Sequence, residues 1–177
     1  MSEELQRRTR SNRYVEAMRR FHARQRLPLM LEDLALRLGR AASTFTVLPI
    51  DESDVVQAKY WTMLKECKEL KRECFMIGIP WWAQQQLQAV LQQISLSIAD
   101  LSFLLFRPID CGAVWLSGSE LFERALDLIE IDQDDLMACT QDVSNGIFLE
   151  AWLYRDSGTE QVVFDMIAWG TVLIEAC

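Results

Sequence analysis

The segment from Leu96 to Phe106 constrains this chain more than any other, because Asp100 is the single charged residue in it. It is apolar on nearly every side of a helical projection, so it does not belong on a surface. It is also far shorter than the ~20 apolar residues needed to cross a bilayer. The remainder of the chain therefore has to bury it, and the centre of the core is expected here. Half of the 177 residues are apolar, which is enough for one domain to do so.

The neighbouring periodicities are mostly helical. Leu87, Leu91, Ile94, Ile98, Leu101 and Leu105 recur at helical spacing and predict one helix from Pro80 until Pro108 stops it, with Gln84, Gln85, Gln86, Gln92 and Gln93 on its polar side. Upstream, Val56, Tyr60, Met63, Cys67, Leu70 and Cys74 form a heptad-like seam that Asp51 or Ser53 can cap. Pro28 suits the first position of a short helix carrying Leu31, Leu34 and Leu38 and ended by Gly39. Thr44 to Leu48 is β-prone. Downstream, Ser117-Gly118-Ser119-Glu120 has capping-box spacing for a short helix, and Asp132 can cap another reaching about Ser144. Asn145-Gly146 then breaks the chain before two β-prone runs, Ile147 to Tyr154 and Gln161 to Trp169, which predict a hairpin. The expected fold is α+β and mainly helical, with about five to six helices and a C-terminal β-hairpin or small antiparallel sheet.

Charge divides the chain unevenly. Residues 1–26 hold eight arginines and three acids, net +5, and residues 27–177 hold ten basic and 23 acidic groups, net −13, together the −8 of the whole. An arginine-rich helical arm, 1–26, is expected on a single acidic globular domain, 27–177, with a helical half (27–107) and a mixed helix and hairpin half (108–177). Within the arm, Tyr14, Met18 and Phe21 fall on one helical face.

The usual signatures of catalysis are missing. His22 is the only histidine, and it sits among arginines in the arm, so the two-histidine zinc motifs are excluded. No glycine-rich phosphate loop is present. The cysteines, Cys67, Cys74, Cys111, Cys139 and Cys177, are dispersed without a CxxC pair, which points to reduced thiols rather than a metal or disulfide framework. With no apolar leader behind the N-terminal arginines, a cytoplasmic protein is expected, or a nuclear one if the source is eukaryotic or viral. Catalytic residues, metal ligands and cofactors are therefore expected to be absent. A carboxylate site remains the enzymatic alternative, with Asp100, Asp110, Glu150 and Asp165 as candidates because each lies among apolar residues.

Binding chemistry is better represented. Trp81 and Trp82 are adjacent at an expected helix start, about 100° apart, so one small core does not easily take both. Asp127, Glu130, Asp132, Asp134 and Asp135 form the densest acidic run, which lacks the calcium-loop pattern and suits a basic partner or the arm itself. The leading expectation is a non-enzymatic protein-interaction domain: an adaptor, an inhibitor of a basic toxin or nuclease, or an assembly or accessory subunit such as viruses and phages encode. Trp81, Trp82, Tyr14, Met18, Phe21, Asp132, Asp134 and Asp135 would contact the protein partner, and the arm could also join two copies of the chain. The alternative is nucleic-acid binding through Arg7, Arg8, Arg10, Arg13, Arg19, Arg20, Arg24 and Arg26, against which the acidic body weighs. No membrane association is expected.

Overall fold

The computed structural model describes residues 3–70, 75–80, 83–106, 111–129, 135–156 and 159–172. Within them lie four α-helices: α1 (Glu3–Leu38), α2 (Ile50–Leu70), α3 (Gln84–Ser97) and α4 (Gly118–Glu123). Seven strands accompany them: β1 (Val47–Leu48), β2 (Phe75–Pro80), β3 (Ser102–Leu105), β4 (Ala113–Ser117), β5 (Leu136–Cys139), β6 (Gly146–Asp156) and β7 (Thr159–Trp169). All seven form one antiparallel sheet in the order β1-β4-β3-β5-β6-β7-β2.

The expected architecture needs correction on two points. The described residues hold four helices rather than five to six, and the sheet has seven strands rather than being a hairpin or a small sheet. The combination of helix with antiparallel sheet stands. The expected helix between Pro80 and Pro108 ends at Ser97, and the apolar segment beyond it becomes β3. Its uniform apolarity comes from burial on two sheet faces. Phe103 and Leu105 enter one core while Leu104 and Phe106 enter the other, and all four are at most 1% exposed. For the same reason Leu136–Cys139 is the strand β5, with every residue buried, and not part of a helix from Asp132 to Ser144. Phe75–Pro80 is a strand at the sheet edge paired with β7, where Pro80 can lack an N–H without breaking a central ladder.

The helix expected to begin at Pro28 is instead the second half of α1, which runs through the proline. Pro28 has no N–H to donate to the Arg24 carbonyl, and tertiary packing offsets that loss. Met30, Leu34 and Leu38 sit in the core beneath this half of the helix.

Helices cover both sheet faces. The second half of α1, with α3 and α4, packs on the face carrying Phe103, Leu105, Leu149 and Met166. α2 packs on the other face through Val56, Tyr60 and Cys67 of the predicted seam and through Leu64, which is buried where the seam has the partly buried Met63. Tyr60 fixes that docking. Its ring lies 5.6 Å from Phe106 and 5.3 Å from Trp169, and its hydroxyl donates to the Ile147 carbonyl at 2.9 Å. The predicted hairpin is present as β6 and β7, in continuous register from Gly146↔Trp169 to Asp156↔Thr159. The Trp169 indole covers Gly146, where a Cβ would collide with the ring, and donates from Nε1 to the Val143 carbonyl at 3.0 Å.

At the start of α4, Ser117 Oγ accepts from the Glu120 N–H at 3.2 Å, as the capping-box spacing predicts. The Glu120 carboxylate has a tertiary role. Arg40 Nη1 donates to both of its oxygens at 2.7 Å while the guanidinium lies 4.3 Å from the Phe45 ring centre, so the connection after α1 is tied to α4.

Candidate interaction surface

Two apolar stripes run along α1. At about 100° per residue, Ala23, Leu27, Met30, Leu34 and Leu38 gather on one side, and Tyr14, Met18, Phe21, Leu29 and Leu36 gather on the opposite side. The first stripe faces the body, with Ala23, Met30, Leu34 and Leu38 buried. The second faces away: Tyr14 is 68% exposed, Phe21 52%, Leu29 67% and Leu36 83%, with Val15 beside them at 61%. Met18 is half-buried. His22 is exposed, its ring edge-on to Phe21 at 5.7 Å.

Ion pairs to the body fix which way this face points. Arg19 donates through both terminal nitrogens to the two oxygens of Asp54, each at 2.7 Å, and Arg20 reaches Asp51 at 3.0 Å and Glu16 at 3.2 Å. Asp51 and Asp54 lie in the first turns of α2, where carboxylates also complement the helix dipole. The clasp is thus made to α2. Of the acidic run singled out in the sequence, Asp127 pairs with Arg124 at 3.0 Å and its carbonyl accepts from Arg37, Asp135 is half-buried at the start of β5, and Asp132 and Asp134 lie outside the described residues. Between the clasped helices is a cleft of about 380 Å³ walled by Arg20, Arg24, Leu27, Val47 and Asp51, with buried Cys111 in its lining.

Other sequence candidates are dispersed. Trp81, Trp82 and Asp110 lie outside the described residues. The backbone of α1 carries Arg7, Arg8, Arg10 and Arg13, whose side chains are outside the description. Arg24 and Arg26 are exposed, whereas Arg19 and Arg20 are engaged by carboxylates. Asp100 is exposed in the turn after α3.

Glu150 and Asp165 do come together, as directly opposed residues of β6 and β7. Burial and the negative charges of Asp135 and Asp165 push the Glu150 carboxyl up, and Lys68 at the end of α2 opposes them. Asp165 accepts from Trp152 Nε1 at 3.1 Å, and the Lys68 ammonium lies 4.8 Å from the Phe148 ring centre. Two acids on one sheet face share their repulsion with one lysine, an arrangement that the sequence shows only once the hairpin register is known.

Cys67, Cys111 and Cys139 are buried thiols in no disulfide, and burial, with the nearby charge of Asp142, pushes Cys139 up to about 12. Among the described residues, no group of three or more His, Cys, Asp and Glu side chains is placed to hold a metal ion. Nor is any described helix long and apolar enough to cross a membrane. Compared with models of known protein families, with characterised proteins and with solved structures, the chain matches none.

Proposed function

We propose that this chain is a non-enzymatic protein-interaction domain, an adaptor, inhibitor or assembly subunit, that offers the outer face of α1 to a protein partner. One observation carries the reading: Tyr14, Phe21, Leu29 and Leu36 form an exposed apolar stripe on a helix whose opposite side is already anchored in the core. Isolated exposed leucines are ordinary, but two exposed aromatic rings on one helix face, Tyr14 and Phe21 with Met18 between them, have the composition of a contact surface. Flanking charge would speed the encounter, and burial of the aromatics would provide retention.

Nucleic acid suits this surface less well. A polyanion would have to compete with Asp54 for Arg19 and with Asp51 and Glu16 for Arg20, and it would make no use of Leu29 and Leu36. The proposal places the protein in the cytoplasm, or in the nucleus of a eukaryotic host, where buried cysteines stay reduced. An accessory protein of a virus or phage is one setting that fits.

The test is site-specific photocrosslinking in the native cell. A photoreactive phenylalanine at position 21 should give a discrete crosslinked protein band, and the same group at Leu96, exposed on α3, should not. Absence of a band at position 21, or equal labelling from both sites, would overturn the proposal.

A further inference from the structure

α1 is held unequally on the two sides of Pro28. Beyond the proline, Met30, Leu34 and Leu38 are fixed in the core. Before it, Ala23 is the one buried side chain among those described from Tyr14 to Leu27, and Leu27 is half-buried. The first half is otherwise tied down by charge, through Arg19 on Asp54 and Arg20 on Asp51, at side-chain exposures between 32% and 56%. Arg19 and Arg26 make further interactions. A segment with so little buried apolar surface opens at lower cost than the fold as a whole.

Behind this half lies the cleft of about 380 Å³. One of its walls is α1 itself, through Arg20, Ala23 and Leu27, and the other is the chain entering α2, from Pro49 to Asp51. Cys111, 4% exposed, is in the lining. The same contacts that hold the arm therefore also close the cleft.

Pro28 supplies a pivot. The bond that it cannot make to the Arg24 carbonyl leaves the helix easier to bend there than at any other described turn. A bend of about 20° would carry the backbone at Arg19, nine residues and roughly 13 Å from the pivot, by about 5 Å. That displacement parts contacts of 2.7 and 3.0 Å and leaves Met30, Leu34 and Leu38 in place.

We infer that the first half of α1 is a hinged strap, pivoting at Pro28 and latched to α2 by the Arg19–Asp54 and Arg20–Asp51 pairs, which uncovers the cleft and Cys111 when those pairs part. Both pairs are open enough to solvent to be weakened by salt, so ionic strength, or a charged partner that competes for either side, sets how often the strap is open. The inference goes beyond the contact reading of the outer face and does not depend on it. Tyr14 and Phe21 ride on the strap whatever they touch.

Alkylation of the folded, full-length chain with N-ethylmaleimide, mapped by peptide mass spectrometry, tests the strap. Wild-type Cys111 should react faster as sodium chloride is raised, while Cys67 and Cys139, in the core beneath α2, stay protected. Arg19→Ala should speed Cys111 labelling about fivefold at low salt, and Asp54→Ala should do the same. Pro28→Ala restores an N–H for the Arg24 carbonyl and should slow the labelling by roughly three- to tenfold. Arg155→Ala, which removes an ion pair on the β6–β7 hairpin, should leave it unaltered. Cys111 labelling that ignores salt and Arg19→Ala, that is unchanged by Pro28→Ala, or that rises only together with Cys67 and Cys139, as in global unfolding, overturns the hinged strap.

Discussion

Arg19→Ala and Asp54→Ala, made singly and together, should reveal a favourable coupling of about 1 kcal/mol between the arm and α2. The magnitude follows from the geometry. Two parallel contacts of 2.7 Å use the planar guanidinium fork, and the side chains are 32% and 34% exposed. Exposed single-contact pairs give ~0.2–1 kcal/mol, and breaking a fully buried pair costs ~3–5 kcal/mol. A bidentate pair that is one-third exposed belongs at the upper edge of the first range. Arg19 also makes other interactions, so the single substitution alone would overstate the pair and the full cycle is needed. The Arg20 and Asp51 pair supplies an internal comparison. Its contact is a single 3.0 Å approach, its side chains are 49% and 56% exposed, and Glu16 shares the arginine. Its coupling should be below about 0.5 kcal/mol. Urea unfolding followed by tryptophan fluorescence measures both cycles, and both couplings should shrink in high salt. If the Arg19 cycle closes within about 0.2 kcal/mol of zero, or only equals the Arg20 cycle, the arm is not clasped to α2 as described.

Three further perturbations probe the body. Tyr60→Phe keeps the ring packing and removes the hydrogen bond to Ile147, and should cost about 1–2 kcal/mol in urea unfolding; a change under ~0.3 kcal/mol would mean that α2 is not seated at that carbonyl. Gln57 is buried with its amide nitrogen unpartnered, so Gln57→Met should leave stability unchanged or raise it by up to about 1 kcal/mol, and a clear loss would reveal a partner for that amide. Glu150 has its folded-state pKa raised above 4.5, so its ionised form opposes folding at neutral pH, and the penalty fades as pH falls through the folded-state value towards 4.5. Glu150→Gln should therefore stabilise the protein at pH 7 and give a vanishing advantage near that lower limit, whereas a constant or growing advantage on acidification would contradict the assigned cause.

Local signals with one physical origin were legible in the sequence. The Ser117 cap, the helical spacing of Val56, Tyr60 and Cys67 and the β-prone runs of β6 and β7 each depend on neighbours a few residues away, and each reappears in the structure. Misreading arose where burial is two-sided. Phe103 to Phe106 and Leu136 to Cys139 are apolar at every position because each strand has helices or further core on both faces, and periodicity cannot distinguish such a strand from a buried helix. The edge strand β2 has no local strand signal of its own, because its partner, β7, is far along the chain.

The functional surface was half legible. Tyr14, Met18 and Phe21 could be placed on one face from their spacing, but Leu29 and Leu36 extend that face only if the helix continues through Pro28. Which of two apolar stripes remains outside depends on tertiary packing, because Met30 and Leu34 resemble Leu29 and Leu36 in every local respect. The arginine partners were also non-local: Asp51, expected only to cap a helix, and Asp54 in the same turns hold the arm.

Photocrosslinking scanned along the outer face of α1 in the native cell tests the central claim most directly. Use of that face as a contact surface predicts a discrete crosslinked protein from photoreactive groups at Tyr14, Phe21, Leu29 and Leu36 and none from Leu96 on α3. No crosslink from the α1 positions, or equal labelling from all five, would contradict it.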